Sequence, residues 1–180
     1  RLYIDMNTVC NDVLVKIFRH LTIKQIGKLA LVNKLTYDSI KIPIWNHDTL
    51  VLKNAKGLSE LTRNYKIANI CMKDESITDD QILDMNVTNL ESIELCDTNK
   101  LTNTSLKYIS NIKSLSLNYC GKQLTCEGIQ YVSGLSSLKL SGCNTLSGFD
   151  ISNEDIKQFS SLKSLKISLC SEIDDDCIKY

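Results

Sequence analysis

The sequence predicts an α/β solenoid in which short parallel strands line a concave side and helices a convex side, preceded by a small all-α module. Three observations predict it. Four segments, "NLESIELCDT", "NIKSLSLNYC", "GLSSLKLSGC" and "SLKSLKISLC", superimpose without a gap and are copies of one unit. In each copy the apolar spacing changes from alternate residues to helical spacing. Residues 1–46 follow a different pattern, with apolar residues at helical spacing throughout.

The front module comes first in the chain. "VCNDVLVKIFRHL" puts Val9, Val13, Leu14, Ile17, Phe18 and Leu21 on one broad face of an amphipathic helix. Thr22 and Gln25 form a capping box that opens a second helix, "IKQIGKLALVNKLTYDSI", in which Ile26, Leu29, Ala30, Val32 and Tyr37 are available for burial. Pro43, the only proline, ends the section and Trp45 follows. Two short helices cannot hide that much apolar surface between themselves, so a partner surface is implied.

A degenerate first repeat spans 47–66, with Leu50 and Leu52 on its strand and Leu58 and Leu61 on its helix. Repeats open at Ile67, in a weaker copy, and at Leu90, Ile112, Leu135 and Leu162, the last incomplete, at spacings of 23, 22, 23 and 27 (67 to 90, 90 to 112, 112 to 135, 135 to 162). Three and five residues on from the last four openings come Ile93 and Leu95, Leu115 and Leu117, Leu138 and Leu140, Leu165 and Ile167, the buried side of a strand. Helical spacing follows in Leu101, Leu106 and Ile109, in Leu124, Ile129 and Val132, and in Leu146, Ile151, Ile156 and Phe159. Thr78 with Gln81, Thr102 with Ser105, Thr125, Ser152 with Asp155, and Asp174 are the expected helix starts. In the longer fourth repeat Phe149 is expected to tuck under the helix. The last repeat stops at "DDDCIKY" with its helix barely begun, and the chain opens without Met; both read as boundaries of a fragment.

The chain carries eight cysteines, and Cys120, Cys143 and Cys170 share one address, eight residues after the start of their repeats (112+8, 135+8, 162+8). A repeated residue at a repeated bend is best explained by packing, and Thr98 and Glu75 are expected to fill the same address in the less regular copies. A C-x-x-C pair is absent and the only histidines are His20 and His47, so no zinc motif or thiol–base pair is expected: no metal, no cofactor, no catalytic residue, and no enzyme. Lys plus Arg (21) equals Asp plus Glu (21), which gives no nucleic-acid or anionic-membrane surface, and no feature points to a small-molecule ligand. No apolar run approaches the roughly 18 residues of a membrane span, and the opening lacks the apolar core of a secretory signal. With reduced thiols, the expectation is a cytoplasmic or nuclear protein.

The repeats, with their L-x-x-L-x-L-x-x-C strands and L-T-x-x-x-L-like helix starts, resemble the cysteine-containing leucine-rich repeat over residues 47–180. Residues 6 to 45 resemble the F-box, roughly L-P-x-E-V-L-x-x-I-F, a second helix ending in L-x-x-V-C-K, and a P-x-W close. Val9, Cys10, Asp12, Val13, Leu14, Ile17, Phe18 and Leu21 match the first part, Leu29, Val32, Asn33 and Lys34 the second, Pro43 and Trp45 the last. Cys10 stands for the usual proline, Asn33 for the usual cysteine, and Leu35 with Thr36 for the usual tryptophan.

The F-box resemblance implies a substrate-recognition adaptor of an SCF-type cullin-RING ubiquitin ligase. Val9, Cys10, Val13, Leu14, Ile17, Phe18, Leu21, Leu29, Val32 and Trp45 would dock on the Skp-type linker subunit, and the repeats would bind a protein substrate. Outward-facing strand residues and their neighbours, Glu94, Asp97, Ser116, Asn118, Tyr119, Lys139, Ser141 and Lys166, are the expected substrate contacts. The alternative is a stand-alone repeat scaffold whose N-terminal helices only cap the solenoid.

Overall fold

Side chains that alternate between aliphatic and small polar suit a strand with one face buried, and the four superimposable segments each form one. The computed structural model describes residues 45–52, 58–64, 67–143, 152–170 and 173. Among the described residues six strands, β1 (Trp45–Leu52), β2 (Ile67–Lys73), β3 (Ser92–Cys96), β4 (Ser114–Asn118), β5 (Ser137–Ser141) and β6 (Ser164–Ser168), alternate with short helices. These are α1 (Leu58–Asn64), α2 (Asp79–Leu83), α3 (Asn103–Tyr108), α4 (Cys126–Gln130) and α5 (Asn153–Lys157). The strands form one parallel sheet in sequence order, as expected of coils that each stack on the one before. The arrangement is α/β and compatible with a leucine-rich-repeat solenoid.

Register repeats from coil to coil. Ile70, Ile93, Leu115, Leu138 and Leu165 are successive partners, and so are Met72, Leu95, Leu117, Leu140 and Ile167. The first four members of each row are almost wholly buried, and together with Leu101, Leu106, Ile109, Leu124, Ile129, Val132 and Ile156 from the helical side they form one continuous core. Leu50 and Leu58 extend that core into the degenerate first coil, whose strand is irregular between Trp45 and Thr49. The expected placements of Leu146, Phe149, Ile151 and Asp174 lie outside the described residues.

Strands β3 to β6 each end in the same left-handed corner: Asp97 (φ 57°), Tyr119 (φ 52°), Gly142 (φ 72°) and Leu169 (φ 56°) occupy equivalent places. A non-glycine residue there carries a cost of about 1–2 kcal/mol, so something must offset it. The corner points its amide along the stack: Asp97 N donates to Asn118 O (3.0 Å), Tyr119 N to Ser141 O (2.9 Å) and Gly142 N to Ser168 O (3.1 Å). The turn also sends the next residue inward. Thr98, Cys120 and Cys143 are buried there and Cys170 is half-buried, with Thr98 Oγ1 donating to Cys120 Sγ at 3.3 Å. Burial pushes the Cys120 thiol up to about 11, against hydrogen bonding with Thr98 and the Asn118 backbone that lowers it. Glu75 does not fill the address. It is exposed beyond a turn in which Asp74 Oδ1 accepts from Ser76, and Ile77 is buried instead, because a carboxylate has no partner to justify desolvation beneath the bend.

The helix starts carry a second ladder that interlocks the coils. Asp79 accepts from the amide and hydroxyl of Thr102, and Thr102 Oγ1 caps α3 by accepting from Thr104 N (3.1 Å). One coil later, Asn103 Oδ1 accepts from Thr125 N and Asn103 Nδ2 donates to Thr125 Oγ1, both at 2.8 Å. Gly128 is needed beside this pair, since a Cβ there would stand 2.2 Å from Asn103 Oδ1. Gly128→Ala is therefore expected to expel the Asn103 amide and destabilise the protein by about 1–2 kcal/mol despite the better helix propensity of Ala. Urea denaturation checks this, and in an Asn103→Ala background the same substitution should be neutral or stabilising.

At the last described helix the cap is reciprocal: Ser152 N donates to Asp155 Oδ2 (2.9 Å) and Asp155 N to Ser152 Oγ (3.4 Å). Partial burial raises the Asp155 carboxyl, but hydrogen bonds from Ser152 and from the Cys126 thiol outweigh it and hold the group below its ordinary 3.8. A depressed carboxyl stabilises the fold above its unfolded pKa and loses that contribution as pH falls through the folded value. Ser152→Ala should accordingly lower the urea midpoint at neutral pH, and the difference from wild type should shrink on acidification through the carboxyl range.

Candidate functional site

The sheet face opposite the helices is built from alternate strand residues, which the parallel register sorts into rows. One row runs Cys71, Glu94, Ser116, Lys139, Lys166 and the next Lys73, Cys96, Asn118, Ser141, Ser168. Serine dominates the third row, where Ser92 Oγ donates to Asn69 Oδ1 at 2.8 Å.

Of the expected substrate contacts, Glu94, Ser116, Asn118, Lys139 and Ser141 come together on this face and are half-buried, with Lys166 exposed at its far end. Asp97 and Tyr119 do not lie on the strands; they occupy the left-handed corners, exposed at the strands' carboxyl ends. Tyr119 leaves about half its surface open (46 %) and lays its ring against Gly142, where a Cβ would stand 2.4 Å from Tyr119 Cδ1. The expected linker-binding residues Val9, Cys10, Val13, Leu14, Ile17, Phe18, Leu21, Leu29 and Val32 lie outside the described residues. Trp45 is the first residue of β1 and pairs with Ile67.

Polar contacts link β3, β4 and β5 across the middle of the face. Asn118 Nδ2 donates to Glu94 Oε1 (2.7 Å), with Cys96 Sγ (3.4 Å) and Ser116 Oγ (3.3 Å) also in reach, and Lys139 Nζ stands 3.8 Å from Glu94 Oε1. That ion pair is partly exposed and contributes on the order of 0.2–1 kcal/mol. Beside it lie Cys71 and Cys96, both buried. Burial pushes the Cys71 thiol up to about 12, the charges of Glu94 and Cys96 add to the rise, and Lys73 opposes it. Cys71 is not among the residues expected on this face from the sequence, because its strand has a less regular pattern than the four superimposable copies.

Among the described residues all six cysteines are free, and no helix is long and apolar enough to cross a membrane. Against known protein families, the F-box domain matches residues 8–47. The matched segment runs into the first strand of the sheet, since β1 begins at Trp45. An F-box domain is thus found directly ahead of stacked strand–helix coils. No curated protein matches the chain.

Proposed function

We propose that the protein is a non-enzymatic substrate-recognition adaptor of an SCF-type cullin-RING ubiquitin ligase: its F-box domain, within residues 1–46, docks on the Skp-type linker subunit, and its repeats, residues 47–180, hold a protein substrate. The observation that carries this reading is the F-box match at residues 8–47 followed at once by a parallel-sheet array with a polar outer face. Val9, Cys10, Val13, Leu14, Ile17, Phe18, Leu21, Leu29, Val32 and Trp45 are the proposed linker contacts. Glu94, Ser116, Asn118, Lys139, Ser141 and Lys166 on the strands, with Asp97 and Tyr119 at the corners, are the proposed substrate contacts. A cytoplasmic or nuclear location follows from that role.

The test is direct binding. Purified full chain and a Skp-type linker subunit should co-elute in size-exclusion chromatography; a folded chain that never co-elutes ends the ligase reading. Removing residues 1–45 separates this from a scaffold whose helices only cap the array. A docking module can be removed with the coils still cooperatively folded, whereas loss of a cap unfolds them.

A further inference from the structure

Cys71, Glu94 and Cys96 stand apart from the repeated cysteines of this fold. Cys120, Cys143 and Cys170 recur at one inward address, and repeated packing accounts for them. No such account covers Cys71 and Cys96, whose row neighbours are Ser116 and Lys139 in one case and Asn118 and Ser141 in the other. Cys71 is the direct cross-strand partner of Glu94, and Cys96 lies two residues further along the same strand, on the same side. The two sulfurs and a carboxylate oxygen all fall within 4.8 Å of one another.

We propose that these three residues form a zinc site on the open face of the sheet, with two thiolates and one carboxylate as protein ligands and the fourth position left to water. Zinc takes sulfur at about 2.3 Å and carboxylate oxygen at about 2.0–2.2 Å, so ligand atoms around a tetrahedral ion sit roughly 3.5–3.8 Å apart. The remaining gap is left to side-chain rotation, since the backbone partners are already fixed by the sheet. Paired thiolates favour zinc over magnesium or calcium. Two buried thiols beside a carboxylate are an unfavourable place for three negative charges, which a dication reverses: binding releases the thiol protons and converts mutual repulsion into shared attraction.

A supporting layer is present. Asn118 donates to both Glu94 Oε1 and Cys96 Sγ, which holds one oxygen and one sulfur ligand in place, and Lys139 lies beyond the carboxylate. The site does not depend on the adaptor reading, since all its residues belong to β2 and β3 with support from β4 and β5.

The experiment titrates the reduced, metal-free full chain with zinc against a chromophoric chelator, and with cobalt(II) as a spectroscopic surrogate. Wild type should bind one equivalent more tightly than the chelator and show a thiolate-to-cobalt charge-transfer band. Cys71→Ser/Cys96→Ser should lose both, Cys143→Ser should keep both, and Asn118→Ala should bind about 10- to 100-fold more weakly. No tight equivalent in wild type, or a band that survives the double serine substitution, overturns the site. If the double variant fails to fold by circular dichroism, Glu94→Gln at a half-exposed position decides: affinity equal to wild type overturns the proposal, and a loss of about tenfold or more upholds it.

Discussion

Leu14→Asp is expected to abolish co-elution of the full chain with a Skp-type linker subunit. Leu14 is grouped by the helical spacing of the sequence with Val13, Ile17, Phe18 and Leu21 on one expected apolar face, inside the matched F-box residues. Buried aliphatic and aromatic anchors dominate interface energetics, and truncating one commonly costs 2 kcal/mol or more, roughly a 30-fold loss of affinity. A carboxylate does worse than a truncation, because it must be desolvated against apolar surface with no opposite charge. Phe18→Asp should behave in the same way, while Lys16→Glu, outside the expected apolar face, should leave co-elution intact. Circular dichroism and urea denaturation of each variant distinguish lost docking from lost folding. Co-elution that survives both aspartate substitutions would move the docking face elsewhere.

Leu117→Ala is expected to destabilise the protein by about 2–5 kcal/mol. Leu117 is 1 % exposed and sits mid-stack, paired with Leu95 on one side and Leu140 on the other. Removing its branched end opens a cavity between rigid neighbours, and a parallel sheet held on both sides cannot collapse into it. The effect should exceed that of Leu165→Ala, because Leu165 in the last described strand is only half-buried. Urea denaturation reads both. A shift below about 1 kcal/mol at Leu117 would mean that the register assigned to these coils is wrong.

Much of this arrangement was legible in the chain. The four superimposable segments fix strand positions to the residue, because a period of two leaves only one face able to bury Ile93 and Leu95 or Leu138 and Leu140. The capping residues Thr78, Thr102, Thr125 and Ser152 stand at their helix starts for the same local reason. What escaped was everything that depends on contact between coils. Asp79 serving Thr102, and Asn103 serving Thr125, are pairings between residues a full repeat apart, and no helix rule anticipates them. The left-handed corners were hidden because Asp, Tyr, Gly and Leu share one backbone conformation without sharing chemistry. The Cys71, Glu94 and Cys96 cluster was hidden for a related reason: metal motifs are recognised by short spacing along the chain, and here proximity comes from the sheet.

The unequal repeat lengths have a consequence of their own. The fourth coil is the longest, yet Ser137 still faces Ser164 and Ser141 still faces Ser168, with no slip anywhere between β5 and β6. Extra residues lengthen the path around one coil without altering which side chains become neighbours across the ladder. Perimeter and surface pattern are therefore independent variables: a coil can grow in length while the lattice of side chains along the ladder stays fixed.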